Sequence, residues 1–398
     1  MAGTTLLGAV NLNDGTTNEV RFVEIGAPLT RWDERERLFG INRQARARTT
    51  SLREIRIGMT TRAATADLLR TAINLVRAEC AKTTNTLSLS HDGEASALSY
   101  ACLRQTQPSV PWTELYELRQ EADYELVLTC EPFAYGSEVT LFEADALTCP
   151  TVVSLVNMLG DYPAPLEITL TGTVEDIAAC YLGIVPDLSF DAYNEAEALS
   201  WSGGTTSTVA DAAAHGGSKK RNTSTTAAVA TYADTAGYVA GTYLPLARCK
   251  VSANSMDIGY GYGGAEYAAE IEASTFFTIV PLAPVALPVV KTRSGTAANL
   301  QARFAVNTSG NADLDWFGLC PISWGFASWV HPSSDATALV FGYDGTCYAD
   351  GIASQYKVGG PIEAFRTDSL CLFADDANGT EDALPVTLTV KYVPRYAQ

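Results

Sequence analysis

The side chains able to do chemistry in this chain are carboxylates, aromatic rings and arginines, and they fall in separate stretches. Paired carboxylates are the usual equipment for breaking a glycosidic bond. Two acidic clusters qualify by composition, Asp187 to Asp191 and the run from Asp375 to Asp382. The second carries Asn378-Gly379 between strand-like flanks, which predicts a solvated turn. Clustered side-chain oxygens also suit calcium, but the spacing is not that of an EF-hand loop. No GxSxG nucleophile elbow is present, and no GxxxxGK followed by Ser or Thr. The glycine-rich run GYGYGG (Gly259 to Gly264) lacks a strand-then-helix setting for a dinucleotide and reads as a strand-end loop displaying Tyr260 and Tyr262. No catalytic, cofactor or metal residue is assigned, and the chain reads as a non-enzyme.

Binding chemistry is better represented. Sugar rings stack on exposed aromatic faces, and Trp316, Trp324, Phe326, Trp329, Tyr343 and Tyr348 cluster around two strands and the loop SWGFASWVHP. Burial is the commoner fate of any one Trp. Trp324 and Trp329 are the leading candidates for glycan or partner contact, with Trp316, Tyr343 and Tyr348 beside them. His331 reads as a loop hydrogen-bonder. Nine arginines fall between Arg31 and Arg62, interleaved with Asp33, Glu34, Glu36 and Glu54. Such a patch invites a nucleic-acid reading, but a net charge of −18 opposes binding by phosphate neutralisation. The favoured alternative is an exposed face whose Arg31, Arg35, Arg37, Arg43, Arg46 and Arg48 fork onto carboxylates of a neighbouring subunit. The nine cysteines sit singly in apolar strands without a CxxC pair, so they are expected to be reduced core thiols. His91, His215 and His331 lie near no cysteine pair, which gives no zinc pattern.

Positioning these groups falls mainly to strands. ADYELVLTCEPFAYG (Ala122 to Gly136) alternates with period two, burying Tyr124, Leu126, Leu128 and Cys130 on one face. Pro132 and Gly136 predict its turn, and EVTLFEA (Glu138 to Ala144) reads as the returning arm. Thr65 to Lys82 predicts the best helix, N-capped by Thr65, with Leu68, Leu69, Ile73, Val76 and Cys80 as its apolar stripe. SLREIRIG and the hairpin Thr86 to Arg104 add strands, and TVVSLVNML (Thr151 to Leu159) fits a strand or a short helix. GDYPAP (Gly160 to Pro165) marks the domain boundary. Beyond it about nine strands recur at intervals without a helix signal, which predicts a two-sheet jelly roll. The Ser/Thr/Ala/Gly-rich tract Gly203 to Gly237, containing GGSKKRN, reads as a long flexible loop.

The order of an Arg-rich segment, one amphipathic helix, the hairpin TLSLSHDG and a long strand ending in EPFAYG resembles the belt domain of siphophage distal tail proteins and related minor tail proteins. In the second half, AGTYLPLARCKV, LDWFGLCPI and the closing LTVKYVPRYAQ resemble the C-terminal jelly rolls of such tail proteins, similar in fold to galectins and carbohydrate-binding modules. The resemblance implies a mainly β chain, with a curled antiparallel sheet bearing one helix at 1–160 and a β-sandwich at 161–398. It implies a ring, commonly hexameric, at the end of the tail tube in the virion. Its partners would be itself, the tail tube protein and tail-tip hub or baseplate proteins, with the second domain reaching toward partners or host-surface glycan. A carbohydrate-binding protein without a scaffold role is the alternative, and a glycosidase the third reading.

Bulk properties set the remaining bounds. A chain of 398 residues, 47% hydrophobic and 18% charged, has material for two cores and the balance of an ordered globular protein. The first basic residue is Arg21, with no apolar core ahead of a cleavage site, so no secretory signal is expected and the protein is expected to be made in a cytoplasm. The longest apolar run, Phe276 to Val290, is broken by Pro281, Pro284 and Pro288 and does not suit a membrane helix.

Overall fold

The computed structural model describes residues 5–26, 30–32, 48–50, 52–90, 97–106, 108, 120–172, 177–233, 238–262, 265–287, 299–331, 336–376 and 385–396. The chain is mainly β and divides into two compact units that interleave in sequence. Unit one comprises Met1–Glu138, Gly160–Tyr162 and Val393–Gln398. Unit two comprises Val139–Leu159 and Pro163–Tyr392.

In unit one the strands are β1 (Thr5–Leu7), β2 (Val10–Asn11), β3 (Asn18–Ile25), β4 (Thr30–Trp32), β5 (Arg48–Thr50) and β6 (Arg53–Arg62). After the helix α1 (Ala66–Cys80) come β7 (Asn85–Leu89), β8 (Leu98–Gln105), β9 (Glu121–Cys130) and β10 (Ala134–Tyr135). The sheet runs β2-β1-β7-β8-β9-β6-β3. The period-two pattern read from the sequence is realised on β9, which buries Ala122, Tyr124, Leu126, Leu128 and Cys130, and on β6, which buries Ile55, Ile57 and Met59 beside it. The helix starts where the cap predicts, the Leu68 amide donating to Thr65 Oγ1 at 3.3 Å. It buries Leu69, Ile73, Val76 and Cys80 against the sheet. Leu68 departs from the expected stripe and is 56% exposed, because one residue of offset is about 100° of helical rotation.

EVTLFEA does not return along β9. After β10 the chain enters β11 (Val139–Thr148), which belongs to unit two, and β10 pairs instead with β33 (Arg395–Tyr396). The expected boundary at GDYPAP likewise differs: the chain has crossed by Val139 and revisits unit one for only three residues there. TVVSLVNML resolves as the strand β12 (Thr151–Ser154).

Unit two continues with β13 (Ala164–Gly172) and β14 (Ile177–Val185). A long insertion follows, with β15 (Tyr193–Glu195), β16 (Trp201–Ser202), β17 (Thr206–Ala210), β18 (Ser218–Asn222) and β19 (Ala228–Ala233). It then holds β20 (Gly241–Tyr262), β21 (Ala265–Pro281), β22 (Val285–Leu287), β23 (Leu300–Val306) and β24 (Ala312–Pro321). The chain then resumes with β25 (Phe326–Val330), β26 (Ala338–Phe341), β27 (Cys347–Ala349), β28 (Ile352–Ala353), β29 (Lys357–Gly359), β30 (Glu363–Ala364), β31 (Ser369–Asp376) and β32 (Pro385–Tyr392).

Two sheets, β11-β32-β13-β26-β27-β28 and β12-β31-β14-β25-β29, enclose one apolar core. The insertion builds a third sheet, β16-β19-β23-β20-β24-β18-β17, with a second core against the opposite face of the five-stranded sheet. The middle layer shows this in its burial: Leu370 and Leu372 of β31 belong to one core, Cys371 and Phe373 to the other. Gly183 of β14 lies where two layers touch, since a Cβ there would fall 2.4 Å from the Pro321 carbonyl oxygen. The expected two-sheet sandwich is present, and a third sheet packs against it. The described part of the tract read as a flexible loop at 203–237 is largely structured, carrying β17, β18 and β19, with Lys219 and Asn222 buried.

Candidate functional site: an open sheet edge and a buried ion network

Unit one's sheet curls toward closure. Its end strands, β2 and β3, meet where Asn18 Nδ2 donates to the Asn11 carbonyl at 3.1 Å. Further along, β3 has β6 on one side, and no described strand lies on the other. A bulge between Val20 and Phe22 turns both Arg21 and Phe22 outward. Phe22 is 41% exposed and lies across Gly58, its register partner, whose missing side chain leaves room for the ring.

The outward face of β3, β6 and β9 is a lattice of ion pairs. Arg62 reaches Glu19 at 2.7 Å and Glu121 at 3.2 Å. Arg56 reaches Glu54 at 2.7 Å and Glu125 at 4.0 Å, and Arg21 lies 3.7 Å from Asp123. These pairs are half-exposed, so each is worth little to stability, but together they fix a charge pattern that a facing surface can match. Leu68 and Leu75 of α1 add exposed apolar positions at 56% and 58%.

Of the six arginines expected at a subunit contact, Arg31 and Arg48 lie on a separate two-stranded ribbon in which Arg31 opposes Thr49 and Arg48 opposes Trp32. Arg35, Arg37, Arg43 and Arg46 lie outside the described residues. Arg53, from the same stretch, is buried beneath the sheet, 5.8 Å from the Tyr100 ring centre.

The aromatic candidates of unit two mostly serve the core. Trp316 and Trp329 are each 1% exposed, so neither presents a face to a sugar. Trp316 packs against Phe373, and Trp329 donates from Nε1 to Ser354 Oγ at 2.9 Å. Trp324 is half-buried against both cores and the Tyr243 ring. Tyr343 is half-buried as well, and Tyr348 is 38% exposed. His331 meets the Tyr356 ring edge-on at 4.1 Å. Tyr260, expected on a loop, is 2% exposed inside β20 and stacked on Tyr267, because β20 continues through GYGY (Gly259 to Tyr262) as strand.

Sequence reasoning missed an ion network inside unit two. Asp315 is the extra residue of a bulge in β24, where Trp316 opposes Arg248 and Leu314 opposes Cys249. The bulge re-aims its carboxylate onto Arg248 Nη1 at 2.6 Å. Arg248 Nε donates to Asp375 at 3.1 Å and Nη1 to the Ala213 carbonyl at 2.9 Å. Lys219 is paired with Asp211 and lies 2.7 Å from Asp313, which Arg221 grips with two nitrogens at 2.7 and 3.0 Å. Lys250 reaches Asp211 at 2.7 Å. Lys250, Arg248 and Lys219 all face the buried Phe277 ring, at 4.1, 4.9 and 5.6 Å from its centre.

Burial pushes the Asp315 carboxyl up to about 7 against the pull of Arg248. Burial also works upward on Asp211, but the hydrogen bonds from Lys219 and Lys250 prevail and hold it well below the usual carboxylate range. Asp315 and Asp375 are 0% and 4% exposed and both engage Arg248, so they offer a substrate no pair of free carboxylates. The network ties β18 and Asp211, which follows β17, to β20 and β24 of the same sheet, and through Arg248 to Asp375 of β31. The rest of the acidic run after Asp376 lies outside the described residues. Among the described residues no cluster of three or more His, Cys, Asp or Glu is arranged to hold a metal ion. No described helix is long and apolar enough to cross a membrane.

No family model matches the chain, and no curated protein does. Among solved structures, the chain is similar to the SPP1 Dit protein, a hub of the adsorption apparatus in phages infecting Gram-positive hosts. Identity is 12% and the TM-score 0.34, covering 80% of this chain and 99% of that one. A chain of the phage P2 baseplate in its activated, calcium-bound conformation aligns at 8% identity and TM-score 0.30, covering 79% and 98%. An exo-β-1,3-galactanase from Phanerochaete chrysosporium aligns at 9% identity and TM-score 0.25, covering 67% and 78%. All three superpositions are loose.

Proposed function

We propose that this chain is a structural protein of a phage tail, of the distal tail type. In this reading unit one closes into a ring at the end of the tail tube, and unit two projects outward toward tail-tip proteins or a host-surface glycan. The observation that carries it is the β3 edge: a strand with one described neighbour, an outward-turned Phe22 and a fixed charge lattice alongside. An open edge of this kind invites pairing with another chain, and closure of identical copies in a ring removes it. The sequence resemblance to belt domains points the same way.

Native mass spectrometry and electron microscopy of the full chain test the reading. The expected result is a closed ring, six copies being the number the resemblance implies, which Phe22→Glu disperses while circular dichroism stays unchanged. A monomer at high concentration, in wild type and variant alike, overturns it. For glycan contact, Tyr348 is the most exposed of the aromatic candidates, with Trp324 and Tyr343 half-buried, and binding on a glycan array lost in Tyr348→Ala is the expected sign. Array binding by a chain that never assembles supports the carbohydrate-binding alternative.

A further inference from the structure

We propose that Cys102 and Cys130 form a modification site, which a peroxide oxidises to a disulfide joining β8 to β9 in the core of unit one. The two residues are direct register partners on neighbouring antiparallel strands, and their sulfurs lie 3.2 Å apart. Opposed positions on one face point their Cβ atoms to the same side, the arrangement a disulfide needs. From 3.2 Å the sulfurs have to close only to a bond of about 2.05 Å. A register shift follows Cys102, between it and Arg104, so the strand has local slack where the movement falls. All nine cysteines are free and buried, but this is the pair whose sulfurs touch.

The pair also divides the chemical roles. The hydrogen bond from Cys130 pushes the Cys102 thiol down, whereas the same bond and burial push Cys130 up. Cys102 is therefore the attacking sulfur. Its thiolate displaces hydroxide from hydrogen peroxide to give a sulfenic acid, and hydroxide takes up the proton the thiol released. The Cys130 sulfur then attacks that sulfenic sulfur, forming the S–S bond and expelling water as its own proton leaves with the departing oxygen. Two thiols and one peroxide become one disulfide and two waters, the sulfurs losing the two electrons that the peroxide gains. Both cysteines are at most 1% exposed, which favours a small neutral oxidant entering through local opening over a bulky disulfide.

The test uses the full chain, treated with hydrogen peroxide, quenched, unfolded and alkylated with iodoacetamide. The untreated protein carries nine alkyl groups, one for each cysteine. The treated protein is expected to carry two fewer and to have lost two hydrogens. A peptide map without reduction shows Cys102 linked to Cys130, and Cys80→Ser gives the same map. The unit's Tm is expected to rise by on the order of 10 °C, since the bond closes a loop in the unfolded chain. Retention of all nine alkylated thiols overturns the proposal. So does a map linking Cys102 to Cys80, or oxidation that stops at sulfinic acid. The result does not depend on whether the chain forms a ring.

Discussion

Replacing Arg248 by Met removes a cation while leaving two carboxylates in the interior. Arg248 holds Asp315 at 2.6 Å and Asp375 at 3.1 Å, and all three residues are at most 4% exposed. Met matches much of the volume, so the loss is electrostatic more than steric. An uncompensated buried carboxylate takes up a proton, and from an ordinary value near 3.9 that costs about 4 kcal/mol at pH 7 and about 1.5 kcal/mol at pH 5. Breaking a buried pair by removing one partner destabilises by about 3–5 kcal/mol, which agrees with the neutral-pH figure. The sign of the pH dependence follows from the direction of the shift. A carboxyl whose folded pKa is raised contributes stability fully below its unfolded value and loses it as pH rises through the folded one. In the wild type Asp315, pushed up to about 7, already contributes a slope of that sign. In Arg248→Met a second carboxyl joins it, and the slope between pH 5 and 8 steepens. Urea denaturation followed by tryptophan fluorescence reads this, Trp316 lying within the same core. The expected loss is about 3–5 kcal/mol at pH 7.5, with about 3 kcal/mol recovered by pH 5. A loss under about 1 kcal/mol, or one that ignores pH, refutes the view that Arg248 neutralises the interior.

Gly183→Val drives a side chain into the Pro321 backbone between two sheets and is expected to lower unit two's stability by about 3 kcal/mol or more, read by thermal denaturation. Trp329→Ala empties a core position and is expected to cost about 3–5 kcal/mol, with calorimetry reporting a lower Tm, where an exposed sugar-stacking ring would leave the Tm unchanged. Thr65→Ala removes the helix cap and is expected to cost about 1 kcal/mol in the unfolding of unit one, measured by urea titration.

Local pattern made part of the fold legible. The alternation on β9, the cap at Thr65 and the lone cysteines inside apolar runs are properties of neighbouring residues, and the structure realises each of them. What eluded the sequence depends on distant partners. EVTLFEA alternates as any half-buried strand does, and nothing in it states that its neighbour is β32. The tract containing GGSKKRN looks like a solvated loop by composition. Yet Lys219 is buried because Asp211 and Asp313 meet it there, and Asp313 arrives from a strand far along the chain. Trp316 and Trp329 carried a binding signal only while their burial was unknown. The third sheet was hidden because its strands share the texture of those they pack on, and Gly183 alone hints at a layer on that side.

Val139 and Tyr392, the first and last residues of unit two, are register partners on adjacent strands. The chain thus first enters and finally leaves unit two at adjacent positions, with one brief return to unit one at Gly160–Tyr162 between them. A replacement β-domain would need outermost strands that pair in this way and a loop that stands in for Gly160–Tyr162. An engineer has the same option: joining Glu138 to Val393 through a short bridge keeps the pairing of β33 with β10, at the cost of the Gly160–Tyr162 return, whose Asp161 amide donates to the Arg395 carbonyl at 2.8 Å.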